Sequence, residues 1–316
     1  MPTRSKWQSL PTEAINPASL DIDKLPASAI VDLMIAEDRK VVAAVHRERD
    51  RIALGADMIA KALRKHGRVL FVGAGTSGRL GVLESAEMPP TFGTDAEMVQ
   101  AVMAGGPKAV LRAVEGAEDN YEDGARQISR LEPGRHDVII GVSASGMTPF
   151  VRGALTRARR AGARIIFVTC DPHTELQTFV DLTIAPAVGP EIIAGSTRLK
   201  AGTATKMVLN MLTTSAMVLI GKTYGNLMVD VKSGSEKLKD RARRILEMVT
   251  GVDSEEADRL LRKARWNVKA AIVMQKTGLS YTKALSQLRK AHDLVRDAIG
   301  EDIEPRLRKA LEQKPR

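Results

Sequence analysis

The apolar run Val69-Leu70-Phe71-Val72 is β-branched and aromatic and stops abruptly at Gly73-Ala74-Gly75-Thr76-Ser77-Gly78. Such a run predicts a strand buried on both faces. Similar short runs follow at 97–103, 137–142 and 164–169, with a further strand at 182–185. Between them the spacing turns helical. One helix is predicted over 77–88, ended by Pro89-Pro90, and two short ones between Pro107 and Leu131, with Gly116 and Gly124 as weak points. Another follows Pro149 and reaches Ala161. Strand alternating with helix predicts a parallel sheet covered on both faces.

Residues before about 28 are punctuated by Pro, Asn and Asp and read as an irregular arm. Helical patterning then runs over 28–66 with one break. A long helix over 203–223 carries Met207, Leu209, Met211, Leu212, Met217 and Leu219, a stripe suited to a core or a dimer interface. After Tyr224-Gly225-Asn226 the strand signals cease. Helices are predicted at 236–249, 254–264, 267–276 and 280–299, with Gly251 and Gly278 as stops and Asp253, Ser254 and Ser280 as capping signals. Residues 251–290 make a compact three-helix module. The expected organisation is an arm and first helix over 1–50, an α/β domain over 51–232, and a helical module over 233–316.

Composition narrows the classes. At 316 residues the chain accommodates one large α/β domain plus a smaller module. Cys170 is the single cysteine, which excludes an internal disulfide framework and a cysteine metal cluster, and its place at the end of an apolar run points to core packing. The net charge of +10 raises nucleic acid as a partner. From Ser233 onward, however, 20 Lys and Arg face 13 Asp and Glu, so 7 of the 10 excess charges fall in the stretch of predicted amphipathic helices, which holds only two aromatics, Trp266 and Tyr281. Solvated basic faces account for them, and no nucleic-acid partner is expected. No basic-then-apolar signal pattern opens the chain, and no apolar run reaches the ~20 residues of a membrane span. The expectation is a cytoplasmic protein without a membrane partner.

The candidate chemistry begins where the first strand ends. Gly73, Gly75 and Gly78 match G-x-G-x-x-G, but the acid expected at the end of the following strand is missing, because Glu97 begins that strand. The loop also presents Thr76 and Ser77, able to cap the next helix and to meet an anion at its N-terminus. Ser143-Ala144-Ser145-Gly146-Met147-Thr148 repeats the design after the third strand. Two such loops at the carboxyl ends of parallel strands converge on one crevice and suit a compact phosphate monoester. Two acidic pairs lie nearby: Glu84 and Glu87, one helical turn apart, and Glu115 and Glu118. Two carboxyl groups flanking a sugar can serve as acid and base. The five histidines show no metal-ligand spacing and no Ser-His-Asp order, so no metal site is expected.

Read together, Gly73-Ala-Gly-Thr-Ser-Gly-Arg-Leu-Gly-Val-Leu-Glu-Ser-Ala-Glu87-Met-Pro-Pro-Thr-Phe-Gly93 closely resembles the signature of the N-acetylmuramic acid 6-phosphate etherases, which have the sugar isomerase (SIS) fold. The resemblance extends through Ala113-Val-Glu-Gly-Ala-Glu-Asp119, Ser143-Ala-Ser-Gly-Met-Thr-Pro149, Gly195-Ser-Thr-Arg-Leu-Lys-Ala-Gly-Thr-Ala204 and Gly225-Asn-Leu-Met-Val-Asp-Val231. It covers nearly the whole chain. Two departures stand out: the family's Leu-Asp-Ala-Ser-Glu-Cys before the paired prolines reads Leu83-Glu84-Ser85-Ala86-Glu87-Met88, and Met147 replaces a residue often polar or basic.

The resemblance implies a doubly wound, flavodoxin-like three-layer α/β domain of SIS type with a small all-α C-terminal module similar to ubiquitin-associated bundles. It implies cleavage of the D-lactyl ether of N-acetylmuramic acid 6-phosphate to N-acetylglucosamine 6-phosphate and D-lactate in cell-wall amino sugar recycling, without metal or redox cofactor. Glu87 and Glu118 match the family's two catalytic glutamates. Gly75, Thr76, Ser77, Gly78, Ser143, Ser145, Gly146 and Thr148 would hold the phosphate and sugar. Glu87 lies ten residues beyond Ser77, roughly 15 Å along a straight helix. That reach is long for one subunit, so a homodimer with an interface active site is expected. Three rivals remain: an aldose–ketose isomerase, whose acid after a helix lysine is missing beyond Lys206; a non-catalytic sugar-phosphate-binding regulator; and an NAD-dependent oxidoreductase.

Overall fold

The computed structural model describes residues 10–231 and 234–312. The first nine residues of the predicted arm, and the predicted boundary at 232–233, lie outside them. The chain forms two compact units: one runs to Ala86 and resumes over Glu97–Ser215, and the other joins Glu87–Ala96 to the chain from Ala216 onward.

In the first unit, short 3₁₀ turns lead into α1 (Ala27–Arg47) and α2 (Arg49–Arg64), with the predicted single break at Glu48. The order continues β1 (Val69–Gly73), α3 (Gly75–Phe92), β2 (Val99–Met103), α4 (Lys108–Leu111), α5 (Tyr121–Arg130), β3 (Val138–Val142), α6 (Pro149–Arg160), β4 (Arg164–Val168), β5 (Leu182–Ile184) and α7 (Lys200–Leu219). The five strands form one parallel sheet in the order β2-β1-β3-β4-β5. Alternate strand residues serve opposite layers. Leu70, Val72, Ile139, Ile165 and Phe167 pack with Ile128 of α5 and Phe150, Val151 and Leu155 of α6. On the other face, Gly55 of α2 and Gly81 of α3 let their helices close on Ile166 and Phe71. The three-layer α/β expectation is borne out.

Several elements depart from the sequence reading. Pro89 and Pro90 lie inside α3, and the helix ends at Gly93, whose φ of +62° takes the left-handed form. Proline removes a donor, yet the pair sits in the last turn, and the Gly93 amide still donates to the Pro89 carbonyl at 3.0 Å. Gly124 does not weaken α5: a Cβ there would meet the Phe150 carbonyl oxygen at 2.0 Å, so the glycine permits close packing on α6. α7 starts at Lys200 rather than 203 because Glu191 accepts hydrogen bonds from the Lys200 and Ala201 amides, at 3.0 and 2.9 Å.

The second unit holds a two-residue hairpin missed in the sequence, β6 (Thr223–Tyr224) and β7 (Leu227–Met228), turning through Gly225-Asn226. Helices follow: α8 (Glu236–Thr250), α9 (Ser254–Lys263), α10 (Val268–Thr277), α11 (Tyr281–Lys290), α12 (Val295–Ile299) and α13 (Glu304–Glu312). The predicted 280–299 helix is therefore two, parted where His292 and Asp293 take left-handed φ. Asp253 caps α9 as expected, whereas Ser280 precedes α11 without a side-chain cap bond. Leu246, Leu261, Ile272 and Val273 form the core, joined by Tyr224, whose hydroxyl donates to the Glu301 carbonyl at 2.9 Å. Among the described residues no helix is long and apolar enough to cross a membrane.

Candidate active site

β2 lies on one side of β1 and β3 on the other, so the chain reverses its winding between β1 and β3. In open parallel sheets this switch point is where ligands bind, outside the carboxyl ends of the strands. Both hydroxyl-bearing loops leave from it. The register pairs Gly73 with Val142, so Ala74-Gly75 and Ser143-Ala144 begin side by side.

The three glycines of the first loop answer to different constraints. A Cβ on Gly73 would lie 2.7 Å from the Gly78 nitrogen, and one on Gly78 would lie 2.8 Å from the Gly73 carbonyl oxygen and from Met103 Cγ. These two let helix and strand approach. Gly75 faces open space and is required for its φ of +54°. Because α3 starts at Gly75, Thr76 and Ser77 occupy its first turn instead of capping it, which corrects the sequence reading. The first amides of the helix have no acceptor within it and suit an anion. Among the described residues the Thr76 and Ser77 hydroxyls make no hydrogen bond.

The second loop is held from behind by the chain after β4. The Thr169 hydroxyl donates to the Ala144 carbonyl at 3.3 Å, the Cys170 amide to the same oxygen at 3.0 Å, and the Thr174 hydroxyl to the Gly146 carbonyl at 3.1 Å. Gly146 has φ +75°, and a Cβ there would stand 2.9 Å from Thr174 Oγ1. The Ser143 and Thr148 hydroxyls share a hydrogen bond of 2.8 Å. Ser145 is left with no hydrogen-bond partner for its hydroxyl among the described residues. Cys170 is buried as expected, and desolvation, helped by the negative charge of Glu191, pushes its thiol up to about 12.

A cleft of about 190 Å³ opens at the carboxyl ends of β1 and β2, lined by Gly75, Arg79, Met103, Glu115 and Glu118 among others. Glu118 lies in the 3₁₀ turn Ala117–Asp119, which follows Gly116 at φ +70°. Both acids are exposed. The other predicted pair separates. Glu84 is 4% exposed, and its carboxylate accepts from Asn210 Nδ2 at 2.6 Å and from the Thr213 hydroxyl, which makes it a tie between α3 and α7. Glu87 is exposed on the same helix. Among the described residues no three His, Cys, Asp or Glu side chains gather so as to hold a metal ion.

Two features of the site escaped the sequence reading. Arg79 donates from Nε to the Val110 carbonyl at 3.0 Å and from Nη2 to the Ala109 carbonyl at 2.9 Å. Its signal was its position four residues beyond Gly75, which returns it to the same helix face. The first turn of α7 also adjoins the site: a Cβ on Gly202 would sit 3.6 Å from Thr76 Cγ2.

This sheet order, with two hydroxyl loops at its switch point, is that of a doubly wound ligand-binding domain, and family models narrow it to the SIS class. A model described as the SIS domain matches residues 116–215, and one described as the glucokinase regulatory protein N-terminal SIS domain matches 35–159. Full-length relatives narrow the class. An N-acetylmuramic acid 6-phosphate etherase of Rhodopirellula baltica is 51% identical over 270 residues, covering 85% of this chain and 89% of the relative. One of Microcystis aeruginosa is 48% identical, covering 93% and 97%, and one of Geobacillus thermodenitrificans is 46% identical, covering 92% and 99%. The chain belongs to the N-acetylmuramic acid 6-phosphate etherase family.

Proposed function

We propose that this protein cleaves the D-lactyl ether of N-acetylmuramic acid 6-phosphate, giving N-acetylglucosamine 6-phosphate and D-lactate, as a step in cell-wall amino sugar recycling. The observation that carries the reading is kinship to etherases along almost the entire chain. The glucokinase regulatory match covers only a domain common to catalytic and regulatory members and does not separate them. The site supports the same reading, because hydroxyl and amide donors stand at the switch point and an acid-lined cleft opens beside them.

The chemistry is an elimination followed by a hydration. Opening of the sugar ring exposes an aldehyde at C1, which acidifies the C2 proton. A carboxylate takes that proton, the C3–O bond breaks with departure of lactate, and water adds across the resulting double bond. The first step makes the enzyme a carbon–oxygen lyase. In this reading Glu118 acts at C2, and Glu87 protonates the departing lactate and activates the incoming water. Gly75, Thr76, Ser77 and Gly78 hold the phosphate with Ser143, Ser145, Gly146 and Thr148. Residues of the protein supply every group these steps require. The enzyme works in the cytoplasm as a homodimer, with Glu87 serving the phosphate loop of the neighbouring subunit.

Lactate release in oxygen-18 water tests the reaction. Wild type should release lactate and place heavy oxygen at C3 of the sugar, and Glu87→Gln should do neither. Tight binding without release would replace the etherase reading with the regulator. Heterodimers of Glu87→Gln and Ser77→Ala subunits should regain activity that neither homodimer has; verified heterodimers without recovery would confine the site to one chain.

A further inference from the structure

Arg79 makes no ion pair among the described residues, although it lines a cleft that also contains Glu115 and Glu118. Its Nε and Nη2 hydrogens go to two successive main-chain carbonyls, Val110 and Ala109, in the last turn of α4. Within so short a helix those carbonyls accept no main-chain amide, and the guanidinium satisfies both. The chain beyond is weakly held. Residues 111–116 are all exposed, Leu111 to 88%. Their backbone bonds are local, such as Arg112 amide to Lys108 carbonyl at 3.1 Å and Ala117 amide to Val114 carbonyl at 3.4 Å. At its far end Ala117 rests against the α5–α6 apolar cluster. At the near end, Val114 packs over Gly105, where a Cβ would lie 3.1 Å away, and the polar anchor is Arg79.

We infer that Arg79 is a positioning residue, fixing the acid-bearing segment that ends in Glu118 to the helix whose first turn forms the phosphate loop. The inference rests on the etherase reading for its kinetic consequences. Base and phosphate loop then keep their separation because one planar guanidinium spans them. Lysine cannot replace it, since an ammonium lacks the rigid fork that reaches two neighbouring oxygens. Misplacement of a reacting group by an ångström costs on the order of 100-fold in rate.

The test compares wild type with Arg79→Met and Arg79→Lys by hydrogen exchange and by kinetics. Amides of 109–118 should exchange faster in both variants, while those of β1 and β3 keep wild-type protection. kcat should fall about 10- to 100-fold, with KM and the inhibition constant of inorganic phosphate within about threefold. Added guanidinium ion should restore part of kcat in Arg79→Ala. Wild-type protection at 109–118 would overturn the inference. So would phosphate inhibition weakening as much as kcat falls, since Arg79 would then bind the anion itself. If Arg79→Met does not fold, Arg79→Lys carries the comparison. Absence of lactate release by wild type would remove the etherase reading, and the exchange measurement would still decide Arg79.

Discussion

Glu37 and Glu84 are both helical carboxylates, and burial gives each a structural task. Glu37 and Lys200 are 4% and 3% exposed and form an ion pair, with Lys40 and Asn16 also donating to the same carboxylate. Burial raises the pKa of Glu37, but hydrogen bonds from Lys200, Lys40 and Asn16 outweigh it and hold the group at about 2, below the usual 4.5. A depressed folded pKa means stabilisation that is complete above the unfolded value and lost as pH falls through the folded one. Glu37→Gln should therefore cost about 3 kcal/mol at pH 7, and its deficit should shrink between pH 4.5 and 2. Denaturant titrations across that range check it; a deficit constant with pH would mean that the charge contributes nothing. Glu84→Ala should cost about 1–3 kcal/mol by stranding Asn210 and Thr213, measured in the same way at pH 7.

The α5–α6 contact is set by two glycines. A Cβ on Gly124 would come within 2.0 Å of the Phe150 oxygen, and one on Gly153 within 2.0 Å of the Tyr121 oxygen. Backbone faces backbone, so neither clash can be relieved by rotating a side chain. Gly124→Ala should push the helices apart and lower stability by about 1–3 kcal/mol despite the better helix propensity of alanine; thermal unfolding reads the sign. Propensity alone marks Gly124 as a weak point, because reading it correctly requires knowing which helix lies opposite. The same limit explains the other departures. Apolar runs bounded by glycine disclosed the strands, since burial on both faces leaves a local signature. The start of α7 depended on Glu191, nine residues upstream, and the prolines of α3 on their place in a final turn. In the site, loop chemistry was readable because backbone dihedrals demand particular residues. The role of Glu84 was not, since its partners lie 126 and 129 positions away.

Among the described residues one apolar cluster lies at the sheet and another around α8–α12 with the hairpin. The path between them crosses at Ala86/Glu87, Ala96/Glu97 and Ser215/Ala216, and the first and last crossings fall inside α3 and α7. Helices form and melt cooperatively, so a break within one exposes hydrogen-bonding groups on both sides of the break. Loss of the second core should therefore loosen α3 and α7, including Glu87 and the stretch of α7 near Asn210 and Thr213. Leu261, fully buried in that core, offers the probe. Leu261→Ala should cost about 2–5 kcal/mol. Under native conditions the loss should appear at amides of α9 and α10 and, by a comparable amount, at β1 and β3, because the units open together. If inorganic phosphate binds at the switch point as proposed, it should then slow exchange in α9 and α10 as well. Exchange that rises in α9 and α10 alone, with phosphate protecting only the sheet, would show that a helical crossing does not couple the units.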